Sequence, residues 1–156
     1  SYYLADLLSD HIGNEKTGIL YTELQRKKRL VSEITAYITG SIDEGLFVIT
    51  GKLNPKRTFE ELEAAIWPVL AQVQDKKMSK SALQQLILKL RTAKAFQDQG
   101  LLNRAMNLSF FELLASADLL NTEGARYEQI STTQLQQYAQ ELLSKNRCSL
   151  LQIQPK

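Results

Sequence analysis

The side chains that could carry chemistry are few. His11 is the only histidine and Cys148 the only cysteine among 156 residues. A hydrolytic zinc takes three protein ligands, usually imidazoles, so a lone histidine cannot found such a site. A single cysteine also excludes an intrachain disulfide. No serine or cysteine has a histidine base in a recognisable nucleophile arrangement. His11 falls at the edge of an apolar helical face, the usual place of a structural histidine, and Gly13 ends that helix before Glu15 can join it. Glu60-Glu61 stand in the first turn of a helix, where carboxylates complement the dipole. Phe110-Phe111 and Trp67 read as core aromatics. Taken on its chemistry alone, the chain holds no active site.

Two phrases look sharper than they are. Lys77-Met78-Ser79-Lys80-Ser81 is letter for letter a signature of class I aminoacyl-tRNA synthetases, and His11-Ile12-Gly13-Asn14 resembles their other one. Both need a setting within a parallel nucleotide-binding sheet. Here the histidine ends a helix and no parallel sheet is written, so Ser79 is expected simply to cap a helix. Arg26-Lys27-Lys28-Arg29 is a compact basic run without interleaved aromatics, which reads as a solvated turn rather than a nucleic-acid site.

The rest of the chain is ordinary for a soluble domain. Apolar residues make up 44% and charged residues 23%, and the net charge of +2 is too small to imply nucleic acid or an anionic membrane as partner. At this length one domain, residues 1–156, buries roughly 70% of its unfolded surface. No apolar run reaches the length of a membrane-spanning helix, so no membrane insertion is expected. The opening Ser1-Tyr2-Tyr3 lacks an initiator Met, which suggests a segment of a longer protein.

The elements follow from periodicity. Tyr3, Leu4, Leu7, Leu8 and Ile12 recur at helical spacing, with Gly13-Asn14 as the stop. A short helix is expected from Thr17 to Lys27. Alternation over Glu33–Thr39 then predicts a strand, Gly40 to Gly45 a turn, and Leu46 to Leu53 a second strand in an antiparallel hairpin. Thr58 with Glu61, and Ser131 with Gln134, have capping-box spacing. Pro68 inside the first of these helices should kink it or break its hydrogen-bond ladder. Further helices are expected from Ser79 and from Leu101, and a closing strand over Cys148–Ile153. This order predicts an α+β fold, helices packed on one face of an antiparallel sheet.

The phrases Tyr2–Asp10, Gly18–Leu24, Leu30–Tyr37 and Gly45–Gly51, followed by the helix start at Met78-Ser79, resemble the C-terminal region of pitrilysin-like (insulinase-type, M16) zinc metallopeptidases over essentially the whole chain. The resemblance implies a non-catalytic domain that pairs with a homologous catalytic domain to enclose a peptide-binding chamber. Zinc would then sit in that other domain, on His-x-x-Glu-His, and no cofactor in this one. In many such domains an arginine and, seven residues on, a tyrosine contact substrate. Aligned on Leu24, those positions are Gln25 and Ser32; Arg26 and Tyr37 are nearby but out of register. Glutamine lacks the charge and serine the reach of that pair. The resemblance leaves a second role open, an assembly subunit of M16 type without proteolysis. It also implies a strand ahead of Tyr2, so that the chain by itself should expose a sheet edge and self-associate. The family precedent leans toward the bacterial periplasm or cell envelope.

Overall fold

The computed structural model describes residues 2–40, 43 and 45–154. Helix α1 spans Tyr2–Gly13, and a π-helix covers Tyr21–Lys27. Strands β1 (Val31–Ile38) and β2 (Phe47–Leu53) follow, then helices α2 (Phe59–Asp75), α3 (Lys80–Gln97), α4 (Leu101–Leu114), α5 (Leu119–Glu128) and α6 (Thr132–Leu142). The fold is α+β, as the element order predicts.

β1 and β2 pair antiparallel, with Thr35 opposite Thr50 and Ile38 opposite Phe47. Of the expected turn between them, Ser41, Ile42 and Glu44 lie outside the described residues. One face of the hairpin turns inward: Val31 and Ile34 are buried, and Ala36, Phe47, Ile49 and Leu53 pack beside them. The other face carries Glu33, Thr35, Tyr37, Thr50 and Lys52, with the two threonine hydroxyls 3.1 Å apart. α1 lies against the inner face, and Leu7, Leu8 and Ile12 are wholly buried there with Leu20 and Leu24. α2 and α6 close the same core through Val69, Leu70, Leu135 and Ala139.

The local signals act where they are written. Thr58 accepts the N–H of Glu61 at 3.2 Å and Glu61 returns a bond to Thr58 N–H at 3.1 Å. Ser131 and Gln134 repeat the arrangement at 3.2 and 2.9 Å. Ser79 caps α3 by accepting the Ala82 N–H at 3.1 Å. α2 runs through Pro68 as one helix. The missing proline N–H leaves the carbonyl of Ala64 without its helical donor, and both residues are exposed, so water can supply the bond.

Two expectations fail, and a third is met in a different helical form. The segment Cys148–Ile153 forms no strand: β1 and β2 hydrogen-bond only to each other among the described residues, and Leu151 is 82% exposed. An extended segment without a ladder partner gains nothing to fix it as a strand. Phe110 is not a core aromatic but 46% exposed. It belongs to an apolar stripe on α4, Leu102, Met106, Phe110 and Leu113, and no residue of that helix is fully buried. The Thr17–Lys27 helix winds mostly as a π-helix, a change that no residue type announces.

Candidate functional site

Gln25 and Ser32 are brought together at the junction of the π-helix and β1. Lys28 N–H donates to the carbonyl of Glu23 at 3.1 Å, an i to i+5 bond, and Leu30 N–H reaches the carbonyl of Leu24 at 2.9 Å. This wide turn feeds the chain into β1, which begins with a bulge: Val31 faces Leu53 and Glu33 faces Lys52, so Ser32 is the extra residue. A bulged residue leaves its carbonyl out of the ladder. Gln25 Nε2 donates to that carbonyl at 2.7 Å, and Ser32 Oγ donates to the carbonyl of Lys52 at 3.2 Å. The two positions therefore spend their polar groups on the fold. π-turns of this kind occur often at functional sites.

Of the two out-of-register alternatives, Arg26 is exposed at the end of the π-helix and Tyr37 stands on the open face of β1 opposite Val48. They occupy separate places. Gln25→Ala is expected to cost about 1 kcal/mol, because the exposed bulge carbonyl can fall back on water. Urea denaturation would measure it. A loss above about 3 kcal/mol would mean that Gln25 holds more than this one carbonyl.

Sequence alone missed a neighbouring feature. Arg29 (φ 51°) and Lys56 (φ 69°) both have left-handed backbone, which side chains with a Cβ rarely adopt. Asn54 joins their segments: its Nδ2 donates to the carbonyl of Arg29 and its N–H to that of Leu30, each at 2.9 Å. The basic run was the visible signal, yet nothing in it indicates that it meets the segment of Asn54 and Lys56.

The synthetase-like phrases also meet. His11 and Met78 line one small pocket with Leu8, Val73, Lys76 and Gln136, a space for about one water molecule and not for a nucleotide. Burial holds the His11 imidazole below its usual pKa, so it stays neutral there.

A part-buried polar cluster lies elsewhere. Tyr127, 0% exposed, donates its hydroxyl to Asp6 Oδ2 at 2.6 Å. Lys94 Nζ donates to the Tyr127 hydroxyl at 3.1 Å and to Glu123 Oε1 at 2.8 Å, and lies 4.9 Å from the centre of the tyrosine ring. Burial, then the bond to Asp6, push the phenol far above its ordinary range. A phenol so held is a donor and not a base, and it does not line the small pocket beside His11. The cluster ties α1, α3 and α5 together.

The family model for the peptidase M16 inactive domain matches residues 1–90. The chain belongs to this family. Its fold recurs in solved structures. A protease from Helicobacter pylori superposes with a TM-score of 0.83 at 19% identity, over 93% of this chain and 35% of its own. The inactive peptidase domain of a "putative zinc protease" from Bordetella parapertussis gives 0.80 at 19% identity, over 93% and 79%. The M16 inactive domain from Pseudomonas fluorescens gives 0.69 at 15%, over 92% and 34%. The chain thus spans about a third of the Helicobacter protein. No curated protein matches it.

In this M16 inactive domain the described residues offer zinc no fitting donor set. His11 is half-buried at the end of α1, Cys148 is exposed beyond α6, and no three histidine, cysteine or acidic residues cluster among those described. Nor is any described helix long and apolar enough to cross a membrane.

Proposed function

We propose that this M16 inactive domain is the non-catalytic half of a zinc metalloendopeptidase, forming one wall of a chamber that holds peptide for a homologous catalytic domain. The carrying observation is the match of residues 1–90 to the M16 inactive domain; Gln25 and Ser32, the positions that the family resemblance assigns to substrate contact, are tied to each other at the π-helix–β1 junction. Their union by a hydrogen bond means that they shape this wall rather than reach across it. Binding and orientation come from the wall, and zinc and its activated water from the catalytic partner.

The test is reconstitution with a partner that carries His-x-x-Glu-His. Alone, the chain is expected to retain no stoichiometric zinc after chelation and re-addition of metal, and to cleave no peptide. With the partner, chelator-sensitive cleavage should exceed that of the partner alone on the order of tenfold or more, the return from positioning substrate. Cleavage by the chain alone, or no gain on mixing, would sink this reading.

The replacement of both family contact residues favours a second reading, an assembly subunit that binds its partner without serving proteolysis. That role would give a stable complex with unchanged cleavage.

A further inference from the structure

We infer that the end of the hairpin formed by residues 26–29 and 52–57 is a docking surface for an acidic peptide segment. The inference rests on the peptide-binding reading above for the class of its ligand and deepens it by naming the charge. These two stretches hold seven cations and no acidic residue. Lys27 is engaged by Glu23 at 2.6 Å and Arg57 more loosely by Glu61 at 3.7 Å, while Lys52 faces Glu33 across the strands. Arg26, Lys28, Arg29 and Lys56 remain, all exposed and none in an ion pair among the described residues.

The backbone supports a built surface rather than a casual turn. The two left-handed non-glycine residues of the described chain are both cations, and both lie here. Glycine would adopt that conformation without strain and asparagine with less. Asn54 holds both stretches in register through its bonds to Arg29 and Leu30, and its own carbonyl accepts Arg57 N–H at 3.1 Å. Strained backbone that the surroundings hold in place is typical of binding sites.

The ligand chemistry follows from charge and from what is absent. Cations spread along two adjoining stretches match an extended ligand with several negative charges better than a single anion. Nucleic acid would call for aromatic platforms on which bases stack. The aromatics nearest these stretches along the chain, Tyr21 and Phe59, are both half-buried and offer no fully exposed ring, so an aspartate- and glutamate-rich peptide is the better match.

Fluorescence anisotropy of the full chain with three labelled decapeptides, acidic, neutral and basic, tests the inference. The acidic peptide should bind about tenfold more tightly than the neutral one at low salt, and the difference should shrink as ionic strength rises. Arg26→Glu with Lys28→Glu should abolish the preference. Arg29→Gly with Lys56→Gly should weaken acidic-peptide binding about tenfold while the melting temperature holds or rises, because glycine relieves the left-handed strain. Equal binding of acidic and neutral peptides overturns the inference and leaves the chamber reading to the cleavage assay. Binding indifferent to both double variants overturns the location. Tighter binding of single-stranded DNA of equal charge overturns the peptide assignment, and no binding of any peptide overturns the inference as a whole.

Discussion

Gly13→Ala is expected to be among the most damaging small substitutions in the chain. Gly13 is the last residue of α1, where the helix rests on β1. A Cβ there would fall on the backbone nitrogen and Cβ of Ala36, closer than nonbonded atoms tolerate. Neither side can yield cheaply, because β1 is laddered to β2 and α1 is anchored by the wholly buried Leu7, Leu8 and Ile12. Overpacking against backbone should cost about 3 kcal/mol or more, which for a domain of this size lowers the melting temperature by roughly 10 °C. Gly40→Ala is the control: a Cβ there meets nothing within 4 Å among the described residues and should leave the melt nearly unchanged. Circular dichroism melts of the two variants decide it. Coincident curves would show that α1 and β1 are not packed this closely.

Tyr127 carries the second large effect. Tyr127→Ala would open a cavity among α1, α3 and α5 and cost about 3–5 kcal/mol. Tyr127→Phe keeps the ring and its edge-on contact with Tyr3 at 4.9 Å, but deprives Asp6 of a donor and Lys94 of an acceptor. A loss of about 1.5–3 kcal/mol is expected, as for a hydrogen bond to a charged group. The raised pKa sets the pH dependence. In the unfolded chain the phenol begins to release its proton near pH 10, whereas burial and the Asp6 bond keep it protonated in the fold. Above that pH the unfolded state therefore binds fewer protons, and stability falls as pH rises. Below it the contribution is fully present. Urea titrations at pH 8 and pH 11 should show wild type losing more stability than Tyr127→Phe. Equal losses would mean that the phenol is not held by its surroundings.

Both effects come from contacts that no short stretch of sequence writes. The helix caps are the opposite case. Thr58 with Glu61, Ser79, and Ser131 with Gln134 satisfy donors within their own first turn, so spacing alone fixes them. The hairpin is nearly as local, since alternation over β1 and β2 makes one face apolar and so determines the pairing register.

Gln25 and Ser32 mark the boundary. Their positions could be placed by family resemblance. Their hydrogen bond could not, because it depends on a π-turn and a bulge that arise where two packed elements must join. The same holds for the meeting of Arg29 with the Lys56 turn through Asn54. Segment 148–153 shows the limit from the other side: Leu150, Leu151 and Ile153 have strand-like character, yet a strand exists only when another edge supplies its hydrogen bonds. The sequence by itself determined which stretches would be helical, which would pair as a hairpin, and that the chain has a single histidine. Only the tertiary structure decided that Tyr127 would reach Asp6 across 121 positions, that Gly13 would be pressed on Ala36, and that α4 would keep its apolar stripe in solvent. Caps and alternation act over a few residues of chain, whereas those contacts are set by how separate elements pack.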